Sequence, residues 1–319
     1  MLRLSGSWIW DFWLADDGDR YHLFFLFASR DLEDERLRHR RAAIGHATSE
    51  DLRSWVRVGD VVAASEPPAF DDLATWTGSV VRGPDGRWWL FYTGVTLVDD
   101  KIHQTIGAAT SPDLAMWRKE SAFPLLNADG RWYERLGGDD RHEEAWRDPW
   151  VLPDPGGDGW HMLITARANQ GPADDRGVVG HAVSSDLWSW EVRPPLSKPG
   201  SGFGHIECPQ VATVEGQPVL VFSCLDPQFS AARRATGATG GILYVPTDWP
   251  TGPFDIAAAR PLTSDAFYCG RLTHDRSGQP VLLAFHYFDQ ARQFLGELSD
   301  PMPVGWEGGE LKVTTAVQA

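Results

Sequence analysis

Short apolar runs rich in β-branched and aromatic residues recur along the chain, and each follows a turn that contains glycine. The runs are DGDRYHLFFLF (17–27), DGRWWLFYTG (85–94), GDGWHMLITAR (157–167), EGQPVLVFSC (215–224) and SGQPVLLAFH (277–286). Glycine adopts positive φ at little steric cost, and a β-rich run after such a turn is typical of the second strand of a hairpin. No helical period of apolar residues separates the runs, so repeated βαβ units are excluded and five hairpins are predicted.

A second motif follows each hairpin and ends in an Asp-Leu turn and a tryptophan. It reads IGHATSEDLRSW (44–55), IGAATSPDLAMW (106–117) and VGHAVSSDLWSW (179–190), with weaker echoes at GGILYVPTDW (240–249) and FLGELSDPM (294–302). Each copy predicts a third strand, with a fourth strand after the turn. Five units of four antiparallel strands predict an all-β, five-bladed β-propeller that forms one domain over residues 1–319, with the motif tryptophans packed between blades.

Three acids lie near the start of the first strand of a unit, which in a propeller lines the central channel. The aligned segments are WIWDFW (8–13), WTGSVV (76–81), WRDPWV (146–151), IECPQV (206–211) and YCGRLT (268–273). A single acid there is more often a turn or capping residue. Repetition gives no reason for acids at one position, so we expect Asp11, Asp148 and Glu207 to meet in one pocket.

Converging carboxylates repel one another, and this repulsion raises the pKa of at least one of them. A pair with unequal pKa values suits glycoside hydrolysis, because one ionised group attacks or activates water while a protonated one donates to the leaving oxygen. Asp11 suits the ionised role. The apolar neighbours of Glu207 favour its neutral form, and Arg147 is expected to keep Asp148 ionised so that Asp148 can hold sugar hydroxyls.

Composition narrows the classes of partner and cofactor. The chain has 29 Lys and Arg against 44 Asp and Glu, a net charge of −15, which disfavours nucleic acid and anionic membrane surfaces as partners.

The N-terminus lacks a signal-peptide pattern, so we expect a cytoplasmic location. The wide spacing of Cys208, Cys224 and Cys269 and the ligand order of segment 139–149 match no standard metal site, so no metal or other cofactor is predicted.

Four of the aligned segments resemble motifs of the clan that unites glycoside hydrolase families 32 and 68, the β-fructosidases and levansucrases. WIWDFW resembles the nucleophile motif, WTGS the substrate-binding segment, WRDP the Arg-Asp-Pro motif and IECP the Glu-Cys acid/base motif, in the same order. The resemblance implies a retaining hydrolase of a β-D-fructofuranoside such as sucrose or a short fructo-oligosaccharide. It assigns Asp11 as nucleophile, Asp148 as transition-state stabiliser and Glu207 as general acid/base.

Family 32 enzymes usually carry a C-terminal β-sandwich, whereas this chain ends soon after the fifth unit. We therefore expect a propeller-only enzyme closest to family 32, for which a homodimer could supply what the extra module shapes elsewhere.

Residues that flank the acids are candidates for sugar binding, because indole faces stack on sugar C–H surfaces and polar groups reach hydroxyls. The candidates are Trp10, Trp13, Trp76, Thr77, Arg147, His205 and Tyr268. Core packing is the alternative for each tryptophan, and a loop histidine satisfied by its neighbours is the alternative for His205. The arginine-rich run at 30–41 could bind a phosphorylated sugar, although such runs are usually solvated.

Three other functions remain open from the sequence. One is an inverting arabinofuranosidase like the family 43 propellers, whose carboxyl groups stand roughly 6.5–9.5 Å apart rather than the roughly 5–5.5 Å of retaining enzymes. Another is a fructosyltransferase. The last is a propeller that binds carbohydrate without turnover.

Overall fold

A computed structural model describes residues 1–137, 144–289 and 291–314, and its strands form five antiparallel sheets. The first three blades consist of β1 (Ser7–Asp16), β2 (Tyr21–Ser29), β3 (Ala43–Ser49), β4 (Val56–Val62); β5 (Ala74–Arg82), β6 (Trp88–Val98), β7 (Lys101–Ser111), β8 (Arg118–Lys119); and β9 (Trp146–Pro153), β10 (Trp160–Arg167), β11 (Gly177–Ser184), β12 (Glu191–Arg193). The last two consist of β13 (Glu207–Val214), β14 (Gln217–Cys224), β15 (Gly241–Pro246), β16 (Arg260–Pro261); and β17 (Phe267–His274), β18 (Pro280–Phe288), β19 (Phe294–Leu298), β20 (Met302–Glu307), β21 (Glu310–Val313). The all-β, five-bladed prediction is confirmed.

The fifth blade divides its third strand position between two segments. Both β19 and β20 pair with β18, one after the other along the same edge, and β20 then pairs with β21. This sheet therefore has five strands, whereas each of the other four sheets has four. Its strands still occupy the four strand positions of a blade.

The five inner strands, β1, β5, β9, β13 and β17, contact one another in a closed ring. Closure occurs between the first and last blades. Tyr21 donates a hydrogen bond to the carbonyl of His274 at 3.0 Å, and Leu2 forms a β-bridge with Leu298. The start of the chain is thereby joined to its last blade.

The Asp-Leu turns connect the third and fourth strands as predicted, and their tryptophans pack between blades. The ring of Trp117 in the second blade lies edge-on to Phe24 in the first, with centroids 5.5 Å apart. Trp190 in the third blade meets Phe91 in the second in the same way, also at 5.5 Å. The repeated tryptophan thus fills the space between neighbouring sheets.

Each of the five inner strands contains one β-bulge. The register shifts between Ile9 and Phe12, Trp76 and Gly78, Arg147 and Trp150, Glu207 and Gln210, and Tyr268 and Arg271. A bulge inserts one extra residue and re-aims the neighbouring side chains, which is why bulges are frequent beside active sites.

The described helices are short and lie in the connections between strands. They are the 3₁₀ helices Arg30–Leu32, Glu35–Arg41, Asp226–Gln228 and Ile256–Ala258, and the α-helix α1 (Ala231–Ala235). None of the helices in the described ranges is long and apolar enough to cross a bilayer. The helix Glu35–Arg41, which joins β2 to β3, begins at Asp34, whose side chain accepts the amide of Arg36 at 3.0 Å.

Candidate active site

A cavity of about 420 Å³ lies beside the inner-strand bulges, and every blade contributes at least one inner-strand residue to it. Its volume falls in the usual range of small-molecule sites. The lining combines three carboxylates with arginines and aromatic rings: Trp10, Asp11, Leu26, Arg36, Arg38, His39, Arg40, Trp76, Thr77, Ile102, Arg147, Asp148, Glu207, Leu225, Gln228, Tyr268, Phe285 and Tyr287.

The bulges bring the three acids to this cavity from different register positions. Glu207 is the last paired residue before its bulge, whereas Asp148 is the first and Asp11 the second residue within theirs. The prediction of one equivalent position was therefore wrong, because a sequence alignment by turn glycines cannot resolve a one-residue bulge. The acids nevertheless line the same cavity.

Asp11 is held by a neighbour on the next blade. The hydroxyl of Thr77 donates to its Oδ2 at 2.7 Å. Burial, followed by the charge of Asp148, raises the pKa of Asp11 to about 6, while the Thr77 hydrogen bond opposes that rise. Asp11 is therefore poised to exchange a proton slightly below neutral pH.

Asp148 is more deeply enclosed and adopts a left-handed backbone conformation, with φ 56°. Its Oδ2 accepts the Thr165 hydroxyl at 2.8 Å and the Cys208 amide at 3.0 Å, and its own amide donates to Thr93 Oγ1 at 3.0 Å. Burial raises the pKa of Asp148, and Arg147 opposes the shift. A non-glycine residue with positive φ is costly and often marks a functional position.

Glu207 receives hydrogen bonds from two cavity residues. The guanidinium of Arg147 donates to Oε1, and the Tyr268 hydroxyl donates to Oε2. Burial raises the pKa of Tyr268 well above its usual range, so this phenol remains a donor. The side chain of Glu207 is 23% exposed, so its carboxyl group is accessible from the cavity.

Arg147 favours the ionised form of Asp148, as predicted, but burial outweighs it and the pKa of Asp148 is raised. Its guanidinium contacts Glu207 directly, whereas its Nε lies 3.8 Å from Asp148 Oδ2. Gln104 and His205 fix the same guanidinium, accepting from it at 3.2 and 3.0 Å. The role of Asp11 as the ionised carboxyl stays a prediction, and burial beside Asp148 limits the ionised form to pH values above about 6 by raising the pKa of Asp11.

Of the predicted sugar-binding residues, Trp10, Trp76, Thr77, Arg147 and Tyr268 line the cavity. The other two do not. Trp13 is fully buried and stacks on Phe24, because it lies beyond the bulge where its side chain turns into the core between blades. His205 is buried behind Arg147 and acts on the cavity through that residue.

The helix Glu35–Arg41, which belongs to the arginine-rich run singled out in the sequence, contributes Arg36, Arg38, His39 and Arg40 to the cavity lining. Arg38 is buried, with its guanidinium 5.5 Å from the ring centre of Trp10 and 4.0 Å from that of Phe294. Burial and the charges of Arg38 and Arg147 lower the pKa of His39 to about 3, so this imidazole is neutral. The sequence could not indicate which residues of the run face the cavity, because residue type alone does not distinguish a buried arginine from an exposed one.

The described residues include one group with metal-ligating geometry, Asp11 with Cys208 and Cys269. Part of the acid-rich segment discussed above, residues 138–143, lies outside the described residues. The cavity itself offers carboxyl groups in three different environments, arginine and phenol donors, and indole faces. Such an arrangement supports proton transfer and nucleophilic attack on a polar, ring-shaped ligand.

Comparisons with known proteins show the family to which the chain belongs. The family model described as the glycosyl hydrolases family 32 N-terminal domain matches residues 14–293. An extracellular sucrase of Zymomonas mobilis subsp. mobilis is 24% identical over 341 aligned residues, which cover 92% of this chain and 78% of the sucrase. A sucrose-6-phosphate hydrolase of Pediococcus pentosaceus is 25% identical over 178 residues, covering 56% of this chain and 32% of that protein.

Among solved structures, the inulosucrase from Halalkalicoccus jeotgali bound to kestose superposes with a TM-score of 0.78. The match covers 98% of this chain and 88% of the inulosucrase at 22% identity. A likeness at that identity shows a common propeller fold.

Proposed function

Since the chain belongs to glycosyl hydrolase family 32 and is a glycoside hydrolase of the fructosidase type, we propose that it hydrolyses a β-D-fructofuranoside with retention of configuration. Sucrose or a short fructo-oligosaccharide is the proposed substrate. The observation that supports this most directly is the meeting of Asp11, Asp148 and Glu207 in one cavity of disaccharide size.

In the proposed reaction the Asp11 carboxylate attacks the anomeric carbon of the fructosyl unit, and the Glu207 carboxyl group protonates the departing oxygen. The covalent fructosyl–enzyme is then hydrolysed by water, which Glu207 deprotonates. Asp148 is proposed to accept hydrogen bonds from ring hydroxyls, a role supported by its fixed orientation between Thr165 and the Cys208 amide. Arg147 and Tyr268 hold Glu207 in place through the transfer.

Sucrose hydrolysis by the wild type and by Asp11→Asn and Glu207→Gln tests the proposal. We expect losses of roughly 10³-fold or more in kcat for both, since each removes a group that acts in the transition state. Asp19→Asn and Glu66→Gln are matched controls, because both carboxylates are exposed and lie outside the cavity. Wild-type activity in either cavity variant would refute the assignment.

Stereochemistry separates the retaining reaction from the inverting alternative. With methanol as a competing acceptor, double displacement yields a methyl β-fructofuranoside, whereas single displacement yields the α product. The yield of fructosyl transfer relative to hydrolysis measures how far the enzyme behaves as a fructosyltransferase. Preferential cleavage of an aryl arabinofuranoside over sucrose would instead favour the inverting arabinofuranosidase.

A phosphorylated disaccharide is a second candidate substrate, favoured by the arginines at the cavity. Arg36, Arg38 and Arg40 all line it. Arg36 is paired with Asp34 at 2.9 Å and Arg38 is buried, but Arg40 is exposed and forms no ion pair with any residue in the described part of the chain. The relative from Pediococcus is named for such a substrate.

The ratio of kcat/KM for sucrose-6-phosphate to that for sucrose tests this candidate. If Arg40 binds the phosphate, Arg40→Ala lowers the ratio by roughly tenfold, the effect of losing a charge-assisted hydrogen bond. Arg53→Ala is the matched control, since that exposed arginine lies outside the cavity and makes the same charge change. An unchanged ratio in Arg40→Ala eliminates this assignment. The cytoplasmic location and the homodimer also remain proposals.

A further inference from the structure

Two cysteines and the proposed nucleophile form a compact group beneath the cavity. One Oδ of Asp11 and the Sγ atoms of Cys208 and Cys269 all lie within 4.8 Å of one another. Both cysteines are free and almost fully buried. No role in the proposed reaction explains why two thiols stand together beside the attacking carboxylate.

The bulges of neighbouring blades create the group. Cys208 and Cys269 are each the first residue within their bulge, and both have left-handed backbone conformations, with φ 52° and 47°. The Cys208 amide donates to Asp148 Oδ2 and the Cys269 amide donates to Ser223 Oγ, both at 3.0 Å. The positions of the two thiols are thus set by backbone contacts and do not depend on a contact between the sulfur atoms.

We propose that Asp11, Cys208 and Cys269 bind a thiophilic divalent cation of the Zn²⁺ or Cd²⁺ class, and that the bound ion blocks the active site. Zinc–sulfur bonds are about 2.3 Å long, so a tetrahedral ion holds two sulfur atoms roughly 3.8 Å apart, and the ligand atoms of this group lie within 4.8 Å of one another. Two thiolates and a carboxylate are a ligand set that such ions prefer over Mg²⁺ or Ca²⁺, which take oxygen ligands. Water would complete a tetrahedral site.

The charge balance is favourable. The ion displaces one proton from each thiol and releases two protons in total, while the Asp11 carboxylate binds as it is. A dication with two thiolates and one carboxylate carries one net negative charge. Arg271 lies close by, donating through Nη1 to the Cys208 carbonyl at 2.9 Å and through Nε to the Phe12 carbonyl at 3.0 Å. Its guanidinium therefore stabilises the loaded site.

Binding of the ion is independent of the proposed function, but its effect on activity rests on Asp11 being the nucleophile. A carboxylate whose lone pairs coordinate a cation is a poor nucleophile, so an ion bound to Asp11 would prevent its attack on the anomeric carbon. Inhibition by this route should be relieved by a chelator and should not require any change in the fold.

Spectroscopy with Co²⁺, a probe for zinc sites, tests binding without reference to activity. We expect one equivalent of Co²⁺ to give the visible bands of a tetrahedral site and a near-ultraviolet thiolate-to-cobalt charge-transfer band. Cys269→Ser should weaken binding by at least roughly tenfold, the usual scale of damage to a metal site. Cys224→Ser is the matched control, because Cys224 is also free and buried but lies outside the group.

Absence of the charge-transfer band in the wild type would overturn the proposal, as would equal Co²⁺ affinity in Cys269→Ser. Thermal unfolding shows whether each variant is folded. If Cys269→Ser does not fold, Asp11→Asn takes its place: weakened Co²⁺ binding supports the site, and unchanged binding refutes it.

Inhibition by Cd²⁺ provides the functional arm. The Cd²⁺ concentration for half-inhibition should rise at least roughly tenfold in Cys269→Ser and stay unchanged in Cys224→Ser. If the protein binds Co²⁺ through thiolates but does not cleave fructofuranosides, the metal site is supported and the proposed function is refuted. If it cleaves fructofuranosides but shows no cobalt band, the proposed function is supported and the metal site is refuted.

Discussion

The protonation of Asp11 depends on a balance among a few contacts. Burial and the charge of Asp148 raise its pKa to about 6, and the Thr77 hydroxyl works against them. A nucleophile must be ionised, so kcat/KM should fall as the pH drops through about 6. The position of this acid limb reports directly on the balance.

Thr77→Val removes the hydrogen bond that favours the Asp11 carboxylate, so the pKa of Asp11 should rise further. We expect the acid limb of the kcat/KM profile to move upward by roughly one pH unit. Thr105→Val is the control, since the Thr105 hydroxyl is buried but accepts and donates no hydrogen bond among the described residues. An acid limb at the same pH in Thr77→Val and the wild type would contradict the assignment of this limb to Asp11.

The same burial means that the ionised Asp11 carboxylate lowers the free energy of unfolding. Its raised pKa means that the folded state binds the proton more tightly than the unfolded state. The carboxylate therefore destabilises the fold above pH 4, and the penalty is complete above about pH 6. Asp11→Asn should raise the free energy of unfolding at pH 8 by roughly 1–3 kcal/mol, with a smaller gain at pH 4.

Urea denaturation at both pH values measures this gain, with Asp19→Asn as the exposed control. A variant that is inactive and also less stable at pH 8 would show that Asp11 contributes packing or hydrogen bonds worth more than its charge costs.

At the scale of elements, the repeated Asp-Leu turn is a self-contained structure. In the third blade the Asp186 carboxylate accepts the amides of Trp188 and Ser189 at 2.9 and 2.7 Å, and Leu187 is buried with φ 66°. These hydrogen bonds lower the pKa of Asp186, with the Ser189 amide the largest cause. The first and second blades repeat the arrangement at Asp51 and Asp113.

Asp186→Ala should lower the free energy of unfolding by about 1–2 kcal/mol, since two turn amides lose their acceptor. Because the folded pKa of this carboxyl is depressed, its contribution is present above the unfolded pKa near 4 and is lost as the pH falls through the folded value. The difference between variant and wild type should therefore shrink in acid. Asp158→Ala, an exposed aspartate in a neighbouring turn, should change stability little; equal losses in the two variants would disprove the capping role.

The contrast between turn and bulge shows what the sequence could reveal about this fold. Turn residues are recognisable by type, so the repeated turn motif identified five blades and placed Trp117 and Trp190 between them. A one-residue bulge has no characteristic residue type. Its first residue is Asp in the third blade and Cys in the fourth and fifth blades. The alternation of side chains between the two faces of the strand could not be followed beyond the bulge. For this reason the sequence assigned Trp13 to the pocket, whereas the structure places it in the core.

For the connection Glu35–Arg41 the sequence left two alternatives open, a binding segment and a solvated loop. Its charges are typical of a solvated loop, and only the folded chain shows that Arg38 lies over Trp10 and Phe294. Long-range contacts of this kind depend on the closure of the ring and leave no local pattern.

The whole molecule depends on a junction between its first and last blades. Leu2 is buried with Val281 and Leu283 of the fifth blade, and its carbonyl accepts the Leu298 amide at 3.0 Å. A propeller closed in this way loses contacts on both sides when the junction is weakened, because each blade packs only on its two neighbours.

Leu2→Ala should therefore destabilise the protein by about 2–4 kcal/mol, the cost of a cavity in a packed core. Urea denaturation measures the loss, and Leu97→Ala is the control because that leucine is 39% exposed. A loss below that of the control would show that closure depends on other contacts, such as the Tyr21 hydrogen bond to the His274 carbonyl.

The bulge shared by all five inner strands also bears on how such a site can change over generations. In the third, fourth and fifth blades the first residue within the bulge has a left-handed backbone whether it is Asp148, Cys208 or Cys269, so the scaffold does not depend on which side chain it presents. In the first, third and fourth blades the acids of the proposed reaction lie at or beside this bulge and line the cavity. Among the described residues the second blade contributes no acid to the cavity lining, so mutation of its cavity residues can alter the preferred sugar while leaving the architecture intact. The molecule thus carries spare capacity for new specificities, and laboratory evolution could begin at Trp76, which lines the cavity.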